Sequence, residues 1–517
     1  MAQAVSNYEI DADDVLEEAP LLDDEAESVE AGPSNAYSRE VILCIFICVV
    51  LIVCFEIGFT LQVAPLNKVL ESIICKNYFP ELASLDLHAM ADDQRCKSND
   101  VQGTLATLRG WQLVTEILPG LLTTIFYGFL ADKYGRKKIL LVSVVGIILN
   151  FIAYAVICWF SNILSVWLTL VTPMVMFVGG GSVVATSLVF TVASDVAHES
   201  QRATTFFIIG AASLSGDLVA APISSILMER NVWIPIVLGI LIMVVGWFGI
   251  LFLPETLHFR TGGKIPEDLE TPSTTKDNTE HTILDRIKTT ASQMVAAVSG
   301  YIWGDTKVAL LMLTLLLTSL GRYAGELKLQ YATKKFHWTW AQAGYLIFLK
   351  AVCSLVLLVV LLPSASHILT SKYSFTVKAK DLWLARVSSI LALLGAFLIA
   401  FSPSSPIMVF GIIIFSIGSA YGLIVRSLLA SMVEPHHIGT LFNTISLLQT
   451  AGSIIAGPLL ANTFKLGLKL DGIWIGLPFM VAGCLLSFAA VVIWTITVTT
   501  KSVAGQEDVI LDSDITQ

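Results

Sequence analysis

Long apolar runs recur along this chain, and their length fixes the solvent they are built for. Near residues 40–63, 101–131, 138–160, 163–193, 203–228, 231–253, 305–333, 340–362, 383–401, 405–433, 437–463 and 472–498 the sequence is almost free of charge. A helix crossing the hydrocarbon core of a bilayer needs roughly 20 apolar residues, since each rises about 1.5 Å through about 30 Å. Twelve such runs predict twelve membrane-spanning helices. Spanning strands would be about ten residues long with alternating polarity. These runs are longer and apolar all round, so the expected fold is an all-α polytopic bundle. Composition agrees, because only 14% of the 517 residues are charged against about 25% in soluble domains.

The net charge of -10 gathers at the ends. Asp11, Asp13, Asp14, Glu17, Glu18, Asp23, Asp24, Glu25, Glu27 and Glu30 crowd one tail and Glu507, Asp508, Asp512 and Asp514 the other. Both read as disordered tails. No basic segment precedes a short apolar one, so the first span is expected to act as an uncleaved signal anchor. Lys and Arg in short loops resist translocation. Lys133, Arg136, Lys137 and Lys138 between the second and third spans give the strongest such signal. Lys372, Lys378 and Lys380 support it, as do Arg260, Lys264, Arg286 and Lys288. Both termini are therefore expected in the cytosol, although Lys68, Lys76, Arg95 and Lys97 in a long loop dissent. Six of the eight cysteines lie in apolar runs, whereas Cys75 and Cys96 bracket that same loop. The loop faces the non-cytosolic side, where disulfides persist, and this pair is the candidate bridge. No N-glycosylation sequon occurs.

The chain divides in two. An acidic tail (1–39) precedes six spans (40–253), a polar linker (254–304) containing "TGGKIPEDLETPSTTKDNTEHT", six more spans (305–498) and a second tail (499–517). Gly181-Ser182 and Ala193-Ser194 recur as Gly418-Ser419 and Ala430-Ser431, the same distance apart. After a slip of one residue, Gly216 with Ala221-Pro222 matches Gly452 with Gly457-Pro458. Two repeated six-helix bundles of this kind flank a central site near the bilayer midplane in transporters.

The stretch "GFLADKYGRKK" at residues 128–138 resembles the signature G-x-L-a-D-x-x-G-R-[RK]-[RK] found between helices two and three of the major facilitator superfamily, with Phe129 in place of the usual Leu. Further, "SDVAHESQRATTF", "LPETL", "YATKKFHWTWAQAGYL" and "KDLWLAR" resemble a fungal group within it, distantly similar to proton-coupled folate-type carriers. The resemblance implies two pseudo-symmetric bundles rocking about a central cavity. It also implies that Asp132 meets the N-terminal end of helix eleven and that Arg136 pairs with acidic groups. Such a latch would hold the outward-open state. Physically, Gly128 suits a close helix approach and Gly135 a backbone turn with positive φ. Gly128, Asp132, Gly135, Arg136 and Lys137 are thus read as a gating motif. The second half carries only fragments of it, such as Asp381 and Arg386.

Transport chemistry should lie with ionisable residues inside the spans, where charge costs at least about 2.5 kcal/mol and survives lining cavities or in pairs. Glu116, Asp217 and Glu56 are the proton-coupling candidates, because a carboxyl in low dielectric holds its proton to higher pH. Glu56 is placed in the outer part of the first span. Arg322 and Glu326, four apart and hence on one helical face, form either a structural salt bridge or a cavity pair. Arg426 would suit an anionic substrate group, while Arg109 and Lys350 read as snorkelling toward water. The expected partners are a small-molecule substrate, protons and the bilayer, with no nucleic acid, no cofactor and no metal, and the chain is expected to act as a monomer.

Helix five keeps Pro222 but has Asp217 and Ala221 where antiporter signatures carry glycines, so direction is balanced between export of a metabolite or xenobiotic, the favoured reading, and proton-coupled import. Intramembrane catalysis has no partner motif at His436-His437, and no phosphate-binding glycine pattern points to ATP-driven pumping. A non-transporting nutrient sensor is the remaining rival. "EEAPLL" fits an acidic dileucine signal for a sorting adaptor at Glu17, Leu21 and Leu22. That signal would route the protein to a vacuole or endosome; the plasma membrane is the default expectation.

Overall fold

A computed structural model describes residues 39–84, 93–197, 202–256, 306–433 and 438–496. The dileucine sequence, both acidic tails, His436-His437 and most of the central linker lie outside the described residues. Among the described residues twelve helical spans are long and apolar enough to cross a membrane, and there is no β-strand. We name the main α-helix of each span α1 (Arg39–Tyr78), α2 (Asn99–Tyr134), α3 (Arg136–Trp159), α4 (Gly181–Val196), α5 (Arg202–Arg230), α6 (Trp233–Ile250), α7 (Thr306–Arg322), α8 (Trp340–Val356), α9 (Val377–Ala400), α10 (Ser405–Gly418), α11 (Ile438–Leu470) and α12 (Leu477–Thr495). On α6, Ile234, Val237, Leu241, Val245 and Phe248 are spaced three and four apart and all exposed, which makes the lipid face. The opposite face packs on α1, with Gly239 against Gly58 and Gly246 against Cys54.

The first span is longer than its apolar run. The sequence reading ends near residue 63 because Pro65 and the polar residues Asn67, Lys68, Glu71 and Ser72 follow, yet α1 continues to Tyr78 with Pro65 inside it. Proline removes the N–H that would bind the carbonyl four residues earlier. Here that carbonyl, Leu61 O, accepts instead from Ser224 Oγ at 2.7 Å. Glu56 consequently sits near the middle of the helix rather than in its outer part, which corrects the expected depth.

The internal repeat reappears as shape. The fourth span is broken into short 3-10 turns before α4 starts at Gly181, and the tenth breaks after Gly418 before resuming at Tyr421–Ala430. Both breaks fall on the repeated Gly-Ser pair. The matched prolines, Pro222 and Pro458, both lie inside helices, in α5 and α11.

How the halves meet differs at the two ends. At the end carrying the loop between α1 and α2, a single apolar core runs across both halves, from Leu70 and Leu105 to Trp340, Phe464 and Phe479. At the other end the core divides, with Cys48, Leu140 and Met243 in one cluster and Leu311, Val425 and Leu441 in another. The contact at the closed end needs glycine: a Cβ on Gly110 of α2 would stand 2.6 Å from Gly457 O of α11. Nearby, Asn99 Nδ2 donates to Leu468 O at 2.8 Å. Gly128, expected at a close approach, instead has nothing within 4 Å of a Cβ position, because α2 leaves the other half before reaching it.

Replacing Gly457 by Val should therefore disfavour the closed end by about 1–3 kcal/mol, the usual cost of overpacking. Cysteine crosslinking between positions 99 and 468 should fall several-fold; unchanged crosslinking would contradict the packing described.

Candidate functional site

Between the halves lies a cavity of ≈330 Å³ walled by α1, α2, α3, the seventh span and α11. Arg109 of α2 lines it, with Nε donating to Asn67 Oδ1 at 2.7 Å and Nη1 to Gln112 Oε1 at 3.1 Å. Gln112 in turn donates to Tyr154 Oη at 3.0 Å and Thr169 Oγ1 at 2.8 Å. Arg109 is thus held by neutral groups at a cavity wall and does not reach away toward water as the sequence reading had it. Glu116, two turns further along α2, lines the same cavity, and its electrostatic neighbours are Arg109 and Glu326.

Glu326 comes from the other half, at a break in its helix. The α-helical path ends at Arg322, runs as a 3-10 helix over Tyr323–Leu327, and resumes at Lys328–Lys335. In a 3-10 helix residues three apart eclipse one another. Tyr323 and Glu326 accordingly both line the central cavity, while Gly325 and, in the following α-helix, Lys328 line a second one of ≈310 Å³. The expected α-helical register between Arg322 and Glu326 is broken by this change of period. The Arg322 side chain lies outside the described residues.

Glu56 and Asp217 come together at the packing of α1 on α5. Ser213 Oγ of α5 donates to Glu56 Oε1 at 2.6 Å, and Thr60 Oγ1 of α1 donates to Asp217 Oδ1 at 2.5 Å. Each acid therefore accepts from a hydroxyl of the opposite helix, four residues along from the acid that helix itself carries. Gly216 makes room, since a Cβ there would stand 2.6 Å from Glu56 Cβ. Lys350 lines the second cavity with Lys328. Arg426 does not reach either chamber; it donates to Gln449 Oε1 beside a separate hollow of ≈70 Å³.

The closed end is pinned by a carboxylate that the sequence reading passed over. Glu71 is fully buried. It accepts from Lys97 Nζ at 2.7 and 2.8 Å, from Gln102 Nε2, and from Trp340 Nε1 of α8 at 2.7 Å. Gln330 Nε2, also from the second half, donates to Gln102 O at 2.8 Å and to its Oε1 at 2.9 Å. Lys97 counted against the expected orientation, but its charge is neutralised within this knot. Cys75 and Cys96 are joined with Cα atoms 5.0 Å apart, tying α1 to the start of α2. Beside them Arg95, through its side chain and its N–H, donates to Asp93 and holds that carboxyl below the usual carboxylate range. The wide sequence separation of its partners helped to hide this network.

At the open end Arg136, 5% exposed, pairs with Asp195 of α4 at 2.7 Å and with Asp132 at 3.0 Å. Its N–H donates to Glu255 Oε1 at 2.8 Å, so the carboxylate within "LPETL" sits at the N-terminus of α3, where it is stabilised. Gly135 makes the turn with φ 106°. Lys137 Nζ donates to Leu251 O at 2.7 Å, just past the end of α6. Asp132 is 57% exposed and is held by its own motif's arginine.

Residues 98–458 match the Major Facilitator Superfamily. The chain belongs to this superfamily. As such it is a multi-pass membrane transporter. Among relatives in the superfamily, the "MFS efflux pump atnC" of Emericella nidulans is 30% identical over 481 residues, 91% of each chain. The "Efflux pump ustT" of Aspergillus flavus is 30% identical over 421 residues, 81% of each. A solved D-xylose-proton symporter superposes with a TM-score of 0.59 at 14% identity, covering 88% of this chain and 98% of that one; this likeness is one of fold.

Replacing Glu71 by Ala would leave Lys97 and the Trp340 indole without their acceptor. Breaking a buried pair in this way costs about 3–5 kcal/mol, so thermal unfolding in detergent should rank Glu71→Ala lowest and Glu71→Gln, which keeps an acceptor oxygen, between it and the parent.

Proposed function

We propose that the chain exports a small organic molecule by alternating access, driven by protons. The observation that carries this reading is the central cavity, where Arg109 and Glu116 from one half face Glu326 from the other, between a sealed end and a divided one. Charged groups from two separately packed halves share one chamber, so a tilt of the halves changes both access and electrostatic surroundings at once. The distribution of Lys and Arg supports a cytosolic position for the divided end. An exporter loads from that side, and the naming of the two relatives as efflux pumps supports the same direction.

In this scheme cargo enters from the cytosol, the halves close below it, and the Glu71 knot opens toward the other side. The outward-open state would then be held by Asp132, released from Arg136 and turned toward helix eleven. Glu116 is the leading proton carrier because it stands between Arg109 of its own half and Glu326 of the other, so a tilt of the halves changes its surroundings. Glu56 and Asp217, each held by a hydroxyl of the neighbouring helix, are the second pair. The protein works as a monomer in the plasma membrane, and an adaptor reading Glu17, Leu21 and Leu22 would divert it to a vacuole or endosome.

Proteoliposomes with an imposed pH gradient test this. Glu116→Gln should abolish the effect of the gradient on flux while cargo exchange at equal pH persists. Asp217→Asn should weaken the gradient's effect less. If both variants retain gradient-driven flux, the proton assignment is wrong; saturable binding with no flux at all would instead favour a sensor.

A further inference from the structure

We propose that the second cavity binds the anionic group of the cargo, and that the cargo is an organic carboxylate whose acid group sits between Lys328 and Lys350. The proposal rests on the export reading and deepens it. Lys328 is 7% exposed, and both lysines line the ≈310 Å³ chamber together with Ser354, Ser416 and Ser419. Among the described residues neither ammonium makes an ion pair within 4.0 Å or a hydrogen bond. Burying an uncompensated cation such as Lys328 is costly, and the exposed Lys350 adds a second positive charge to the same chamber. The surrounding acids act only from further away: Glu326 and Asp217 on Lys328, and Glu56 on Lys350. A chamber with two ammonium groups, three hydroxyls and no carboxylate of its own is one that an incoming anion completes.

The rest of the wall sets the body of that anion. Leu357, Ile412, Phe415, Leu423 and Phe479 line it, which favours an apolar or aromatic skeleton over a sugar or nucleotide. Arg426, the sequence-based candidate for this role, borders a hollow of ≈70 Å³, well below the roughly 300 Å³ at which ligand pockets begin. The lysine pair was missed because its members are 22 positions apart on two spans.

The full chain in phosphatidylcholine nanodiscs is titrated with benzoate, octanoate and indole-3-acetate, each beside its neutral amide, reading the thermal midpoint. At least one acid should stabilise where its amide does not. Lys328→Gln and Lys350→Gln should each raise the half-saturating concentration about tenfold to a hundredfold, the scale of a hydrogen bond to a charged group. Exposed Lys378→Gln should change nothing. Lys350→Arg, which keeps the charge, should preserve the preference for acid and guards against misreading a misfolded variant. Equal response to acids and amides, or unchanged affinity in both glutamine variants, overturns the proposal. So does lysine-dependent stabilisation by phosphatidylglycerol with none by the soluble acids, which would make the chamber a lipid headgroup site. Lysine-dependent acid binding without flux would leave the anion site standing and remove the export reading instead.

Discussion

Hydrocarbon offers no hydrogen bonds, so every peptide group in this chain that lies within the bilayer must find its partner in protein. That constraint dictates helices, and it also dictates where helices are allowed to fail. In the fourth span the irregular stretch before α4 is covered by Tyr127, whose hydroxyl accepts from Gly179 N at 2.7 Å and donates to Phe177 O at 2.8 Å. In α1 the carbonyl released by Pro65 is taken up by Ser224. In the seventh span the 3-10 turn lies against a cavity. Departures from the α-helix thus occur where a side chain or a chamber receives them, and those are the places where chemistry collects.

The same economy separates the two ends of the molecule. One shared core and a buried carboxylate knot make the disulfide end a single packed body. The motif end consists of two bodies, each with its own core. Arg136 with Asp132, Asp195 and Glu255 ties α2, α3, α4 and the segment after α6 together, so the signature stretch acts here as the internal brace of one half.

Much of this was legible in the sequence, for identifiable reasons. Apolar density is a local property, so the number of spans could be counted directly, and the repeated Gly-Ser pair marked two helix breaks. Depth and partnership are not local. Pro65 and the polar run after it hid the outer third of α1, and with it Glu71. Trp340 lies 269 residues from the glutamate it binds, and no window of sequence joins them. The pairing of Ser213 with Glu56 and of Thr60 with Asp217 was equally hidden, because hydroxyls in apolar runs are common and carry no mark of which acid they face. The loss of α-helical period after Arg322 was invisible for a different reason: residues 323–327 differ little in composition from their surroundings.

That short change of period has a consequence for how the seventh span tolerates change. Glu326 and Lys328 are two positions apart and line different chambers. Adding or removing a single residue between Arg322 and Glu326 would rotate every later side chain by about a third of a turn. The carboxylate would then leave the chamber it now serves and the ammonium would swing toward it, so the polarity of both compartments would change together. The segment behaves as a cog whose tooth count matters more than the identity of most of its teeth.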